Sequence, residues 1–127
     1  RVGRRIPLYC TAIGKVLLAY SDEQKRASIL DALKLVAHTP KTITKREKLE
    51  AELKKVRDCG YALDDEEHEE GIVCIGAPVI DREGCLVAAL SASWPLFRFE
   101  GADVEKSASL VTGAAGRISS ALGYPPE

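Results

Sequence analysis

Residues Gly60–Asp81 read GYALDDEEHEEGIVCIGAPVID, and the tetrad DREG (81–84) hands the chain to CLVAALSASW, Cys85–Trp94. Ile72–Asp81 is mostly apolar and β-branched, which predicts a strand. Cys85–Trp94 is the returning strand, with the tetrad as the turn of a hairpin. Tyr61–Glu67 predicts a further strand that runs into a loop. Pro95 ends the hairpin.

Helices flank this core. Thr11–Tyr20 predicts a short helix with Thr11 as N-cap and Gly14 at a point of close packing. Ser21 and Gln24 have capping-box spacing and open a second helix to about Leu33. His38–Lys41 is a turn. Thr44 and Glu47 form another capping box before a helix with Leu49, Leu53 and Val56 on one face and charges on the other. Gly60 stops it. Gly101–Leu122 predicts a long helix with Val104, Ala108, Val111, Ala115, Ile118 and Leu122 inward. Residues 4–9 form an extended lead-in ahead of the first helix. The order is three helices, three strands and a helix, an α+β sensor-like domain with an antiparallel sheet.

Composition narrows the function. The chain has 127 residues, the length of one domain, with 46% hydrophobic and 29% charged residues. Eighteen basic residues balance nineteen acidic ones, so this chain carries no electrostatic footprint for nucleic acid. No apolar run approaches the roughly 20 residues of a membrane span. Cys10, Cys59, Cys74 and Cys85 are irregularly spaced, so a cytoplasmic chain with reduced thiols is expected. There is no methionine, and the sequence starts RVGRR, which suggests a piece of a longer protein.

The acidic run 64–70 has six carboxylates and His68. As a continuing strand it would send Asp64, Glu66 and His68 to one side and Asp65, Glu67 and Glu69 to the other. A core strand does not bury six carboxylates, so one face meets water. The run reads as a solvated edge or as a few acids lining a polar pocket. His68, Cys74 and these acids match no standard zinc spacing. Cys74 has acidic or apolar neighbours, which argues against a reactive thiolate and for a half-buried packing or pocket residue. His38 and His68 lie far apart in sequence. No phosphate loop or nucleophile elbow occurs. No catalytic residue, metal or cofactor is assigned.

Ser91 and Ser93 project from one strand face, which Val87 and Ala89 continue. They either bond locally or line a cavity. The amides at the start of the first helix, Ala12–Gly14, can accept an anion, or the small residues there simply permit tight packing. Trp94 reads as a packing residue.

Together, PLYCTAIGKVLLAY, the Gly60–Asp81 stretch and LVAALSAS resemble the C-terminal effector-binding domain of the isocitrate lyase regulator (IclR) family of bacterial transcription factors. The family signature falls on Gly60, Asp64, Glu67, Cys74, Ile75, Gly76, Val79 and Asp81. The resemblance covers nearly the whole chain. It implies a GAF-like fold, with a curved antiparallel sheet flanked by helices. It implies that residues 1–127 are an N-terminally incomplete effector-binding domain, with a winged helix-turn-helix upstream that binds operator DNA. It implies a homodimer or homotetramer, no membrane partner and no enzyme activity. The implied effector is a small organic acid or sugar-derived metabolite, held by Ala12, Ile13, Gly14, Asp64, Ile72, Cys74, Ser91 and Ser93. Ile13 and Trp94 are bulkier than the family's usual residues. Their size favours two alternatives, a narrowed pocket or a dimerisation module whose pocket is closed. A metal or thiol enzyme using Cys74 and His68 is the remaining alternative.

Overall fold

A three-stranded antiparallel meander forms the centre of the computed structural model, which describes residues 7–99 and 104–125. The strands are β1 (Ala62–Asp65), β2 (Ile72–Ile80) and β3 (Leu86–Pro95). The helices are α1 (Ala12–Ala19), α2 (Glu23–Ala32), α3 (Arg46–Cys59), the short α4 (Leu96–Phe99) and α5 (Val104–Ala121). The α+β order expected from the sequence is thus observed. Residues 4–6 of the lead-in and 101–103 of the last helix lie outside the described residues.

The register fixes what each face carries. β1 pairs with β2 at Asp64–Cys74 and Ala62–Gly76, and β2 pairs with β3 at Cys74–Ser93, Gly76–Ser91 and Val73–Trp94. Side chains alternate, so Cys74, Gly76 and Pro78 face one side and Val73, Ile75, Ala77 and Val79 the other. The second side packs on Ala108, Val111 and Ala115 of α5, with Trp94 and Phe99 at its margin. The first side lies under α1. A Cβ on Gly76 would stand 3.1–3.2 Å from Ala12, so the bare glycine lets α1 rest on the strand. α3 backs α1 through Leu49, Leu53 and Val56, all fully buried. Each such side chain contributes roughly 1.5–3 kcal/mol.

The local chemistry explains the element ends, with some shifts. Thr11 caps α1, its Oγ1 accepting the Gly14 N–H at 3.1 Å. Gly60 ends α3 at φ +85°. The cap of α2 is Asp22 rather than Ser21, with its carboxylate accepting the Lys25 N–H. The Ser21 hydroxyl instead donates back to Leu18 O. α3 starts from Lys45 with no side-chain cap, so Thr44 forms no capping box.

In α5 the inward stripe is Ala108, Val111, Ala115 and Ser119, whereas Ile118 and Leu122 stay 44% and 45% exposed. Ser119 meets the sheet where the β2–β3 register shifts between Val79 and Ile80. Ser119 Oγ accepts the Ile80 N–H at 2.9 Å and donates to Ala115 O. Leaving that N–H without an acceptor would cost about 1–3 kcal/mol, comparable to what burying an aliphatic side chain gains, and here the serine holds the inward position.

Candidate functional site

Asp64, Cys74 and Ser93 form one row across the three strands on the face under α1. Ser91 stands opposite Gly76 one pleat along, and Ile72 starts β2 on the same face, opposite Pro95. Ala12 lies against Gly76. Elements distant in sequence therefore bring the start of α1, one carboxylate, one thiol and two hydroxyls to a common face.

The row is not chemically uniform. Cys74 Sγ lies 3.1 Å from Ser93 Oγ. Burial pushes the Cys74 thiol upward, and its Ser93 contact opposes this only in part, so Cys74 is a neutral, soft surface. Ser91 is half-buried, and its hydroxyl bonds to none of the described residues. No described side chain takes the amides of Ala12 and Ile13, which a helix leaves without an internal acceptor. Gly14 donates to Thr11. Its bareness serves packing, because a Cβ there would fall 2.4 Å from Leu8 O.

Asp64 is only 4% exposed, and burial holds its carboxyl above the usual range. Its Oδ1 accepts the Glu67 N–H at 2.8 Å, which closes a tight turn. That turn overturns the strand parity expected for the acidic run. The strand ends at Asp65, and Glu66 turns at φ +57°. Asp64 and Glu67 are consequently both buried, while Glu69 and Glu70 are solvated.

Glu67 has a partner that sequence reading missed. Lys15 has no exposed surface, and its ammonium sits 2.7 Å and 2.9 Å from the two Glu67 oxygens. It also donates to Glu52 and to Leu63 O, each at 2.8 Å. The clue in the sequence is one lysine inside the otherwise apolar helix AIGKVLLA.

Two loops are tied together beside the row. Thr39 Oγ1 donates to Glu66 O and Thr42 Oγ1 to Glu67 O. Lys41 pairs with Glu66, whose other oxygen accepts the Gly71 N–H. These bonds bring His38 to His68, with ring centroids 5.3 Å apart, although the two are remote in sequence. Cys10 Sγ lies 3.8 Å from His68 Nδ1.

Trp94 does not crowd the row. It pairs with Val73 and so faces α5, with its ring 5.7 Å from Phe99. The expectation that Trp94 narrows the site is overturned, and its reading as a packing residue holds. Ile13 remains half-buried. Two clefts lie elsewhere. One of about 400 Å³ runs between α3 and the outer edge of β1, and one of about 490 Å³ lies between α5 and the far end of the sheet. Neither contains the row. All four cysteines are free, and no described helix is long and apolar enough to cross a membrane.

A family model described as "Bacterial transcriptional regulator IclR C-terminal" matches residues 1–120. The chain is 45% identical to the HTH-type transcriptional regulator KdgR of Escherichia coli K12 over 98% of its length, and it spans 47% of that protein. The crystal structure of the C-terminal domain of E. coli KdgR superposes with a TM-score of 0.86 at 45% identity, over 96% of this chain and 74% of that one. Thermotoga maritima IclR superposes at 0.88 and 40% identity, over 98% and 50%. The inducer-binding domain of Acinetobacter PobR, a double mutant in complex with 3-hydroxybenzoic acid, superposes at 0.79 and 29% identity, over 94% and 69%. These relatives are transcriptional regulators rather than enzymes, and they share the GAF-like α+β fold. The chain belongs to the IclR family of bacterial transcriptional regulators and corresponds to its C-terminal domain.

Proposed function

We propose that this domain senses a small carboxylate-bearing metabolite on the face between α1 and the sheet. The observation that carries this reading is the register, which puts Ser91, Ser93, Cys74 and Asp64 on the face that meets the start of α1. The amides of Ala12 and Ile13 and the Ser91 hydroxyl are donors without an acceptor among the described residues, and together they suit a carboxylate. Cys74 and Ile72 supply soft and apolar contact for the ligand's body. Asp64 takes the Glu67 and His68 backbone N–H groups at the turn and offers its remaining acceptor capacity to a ligand hydroxyl. The 3-hydroxybenzoic acid bound to the PobR domain is a hydroxy acid of this class.

In the full protein, a ligand of this kind acts by binding one arrangement of subunits better than another, which moves the DNA-binding heads. We infer a homodimer or homotetramer that meets operator DNA through an upstream helix-turn-helix domain. The regulators it resembles are named HTH-type.

A thermal-shift screen of the full-length regulator against 2-oxo, hydroxy, sugar and aromatic acids tests the reading. A specific binder raises the midpoint through its affinity for the native state. The shift disappears in a Ser91→Ala/Ser93→Ala variant that melts normally without ligand. A folded oligomer with no binder in the panel points instead to a dimerisation module with a closed pocket.

A further inference from the structure

The cleft of about 400 Å³ between α3 and the outer edge of β1 plays no part in the proposed effector site. Its volume lies in the usual range of small-ligand sites, roughly 300–1,000 Å³. Ile43, Val56 and Leu63 give it an apolar wall, and Glu52, Glu67 and Lys55 bring charge of both signs. We propose that this cleft is a second small-molecule site, which takes an α-amino acid with an apolar side chain.

The inner end calls for a cation. An ammonium has three protons. Those of Lys15 go to Glu52 Oε2, Leu63 O and Glu67 Oε2. Glu67 Oε2 also accepts the Asp65 N–H at 3.1 Å. Glu67 Oε1 is buried and feels the Lys15 charge, yet it accepts no hydrogen bond among the described residues. A buried carboxylate oxygen without a donor is costly. The charges are uneven too, since two carboxylates share one lysine. Burial outweighs Lys15 and holds the Glu67 carboxyl above the usual range, which a second cation beside it reverses. A ligand ammonium here supplies both the missing donor and the missing charge.

The outer end calls for an anion. Lys55 is exposed, follows Glu52 by three residues on one face of α3, and has no ion pair among the described residues. Lys41, the other lysine of the cleft, is taken by Asp65 and Glu66. Glu52 and Lys55 are thus spaced for the two charged ends of one amino acid, whose side chain then lies on Ile43, Val56 and Leu63. An added peptide strand does not compete for this edge, because the Leu63 carbonyl and the Asp65 amide are already bonded to Lys15 and Glu67.

Calorimetric titration of the full-length regulator tests the site. The probes are L-leucine, with 4-methylpentanoic acid and 3-methylbutylamine as its analogues, and L-phenylalanine, with 3-phenylpropanoic acid and 2-phenylethylamine. At least one amino acid is expected to saturate at one per chain. Its analogue lacking the amine and its analogue lacking the carboxylate each bind about tenfold or more weakly. Lys55→Ala, at an exposed position that leaves the fold intact, weakens the amino acid by a similar factor and leaves the amine analogue unchanged. Binding persists in Ser91→Ala/Ser93→Ala, which separates this cleft from the effector face, so the outcome is independent of the sensing function. If neither amino acid binds, water alone fills the inner end and the proposal is overturned. Binding that Lys55→Ala leaves intact, or that Ser91→Ala/Ser93→Ala removes, overturns it equally.

Discussion

Lys15 and Glu67 form an ion pair with essentially no water around it. The lysine is 0% exposed and the glutamate 6%, and they meet at 2.7 Å. The pair ties α1 to the β1–β2 turn, and Leu63 O and Glu52 complete the lysine's donors. Removing one partner of such a pair strands the other charge and costs roughly 3–5 kcal/mol. Lys15→Met is expected to lower stability by that order in urea unfolding. Adding Glu67→Leu recovers most of the loss, since Glu52 sits at the surface and can turn to water. A double variant as unstable as Lys15→Met contradicts this account.

Gly14 and Gly76 both let α1 lie close, but with different room. An added Cβ at Gly14 meets Leu8 backbone atoms at 2.4–2.7 Å, which cannot yield locally. Gly14→Ala is expected to fall in the severe tail of single substitutions, above about 4 kcal/mol. At Gly76 the contact is 3.1–3.2 Å, so the helix start shifts by a few tenths of an ångström. Gly76→Ala is expected to cost roughly 1–3 kcal/mol. It also weakens effector binding more than it weakens the fold, as calorimetry against the binder found in the acid screen would measure.

Ser119→Ala removes the acceptor of the Ile80 N–H at the strand irregularity. The part-buried amide then loses its protein acceptor, at a cost of about 1 kcal/mol. Hydrogen exchange at Ile80 is expected to accelerate more than at the neighbouring strand amides.

Asp64 carries a pH signature. Burial, opposed in part by the Glu67 N–H and Lys15, raises its folded carboxyl above the ordinary 3.8. The folded state then holds the proton longer than the unfolded one. This contribution to stability is present below the unfolded value, falls as pH rises towards the folded value, and is level above it. Asp64→Asn keeps an oxygen for the Glu67 N–H but does not titrate. The variant's stability relative to the parent is therefore expected to rise with pH through the acid range and then plateau. Parallel curves in urea melts across the range would refute it.

The hairpin, the α3 stripe and the Gly60 stop were legible because periodicity and turn chemistry are local. Leu49, Leu53 and Val56 announce a buried face wherever the helix packs. The row of site residues was legible in part, since Ser91 and Ser93 share a strand face and the family resemblance named the rest. Other features depend on tertiary partners. Lys15 reads as a surface residue until Glu67 turns inward, and Glu67 turns inward only because Glu66 takes a left-handed conformation. The Cys10, His38 and His68 cluster was hidden because loops, not spacing, bring its members together. Ser119 took an inward position from Ile118 to serve one amide, which no hydropathy pattern encodes. Trp94 looked adjacent to the site because it follows Ser93, yet strand alternation sends it to the opposite side.

Cys74 lies between Asp64 and Ser93, and the same alignment that makes this row also aims Trp94, Ile75 and Val79 at α5. The proposed recognition surface and the hydrophobic core are two sides of a single fabric. Sliding β3 by one residue would turn Ser93 towards Val111 and expose Trp94 on the α1 side, undoing both at once. Added length inside a strand is therefore forbidden, whereas the exposed turn around Glu83 can take an insertion without loss. New ligand preferences are open to such a domain through side-chain exchange on one side of the weave, with the thread count held constant.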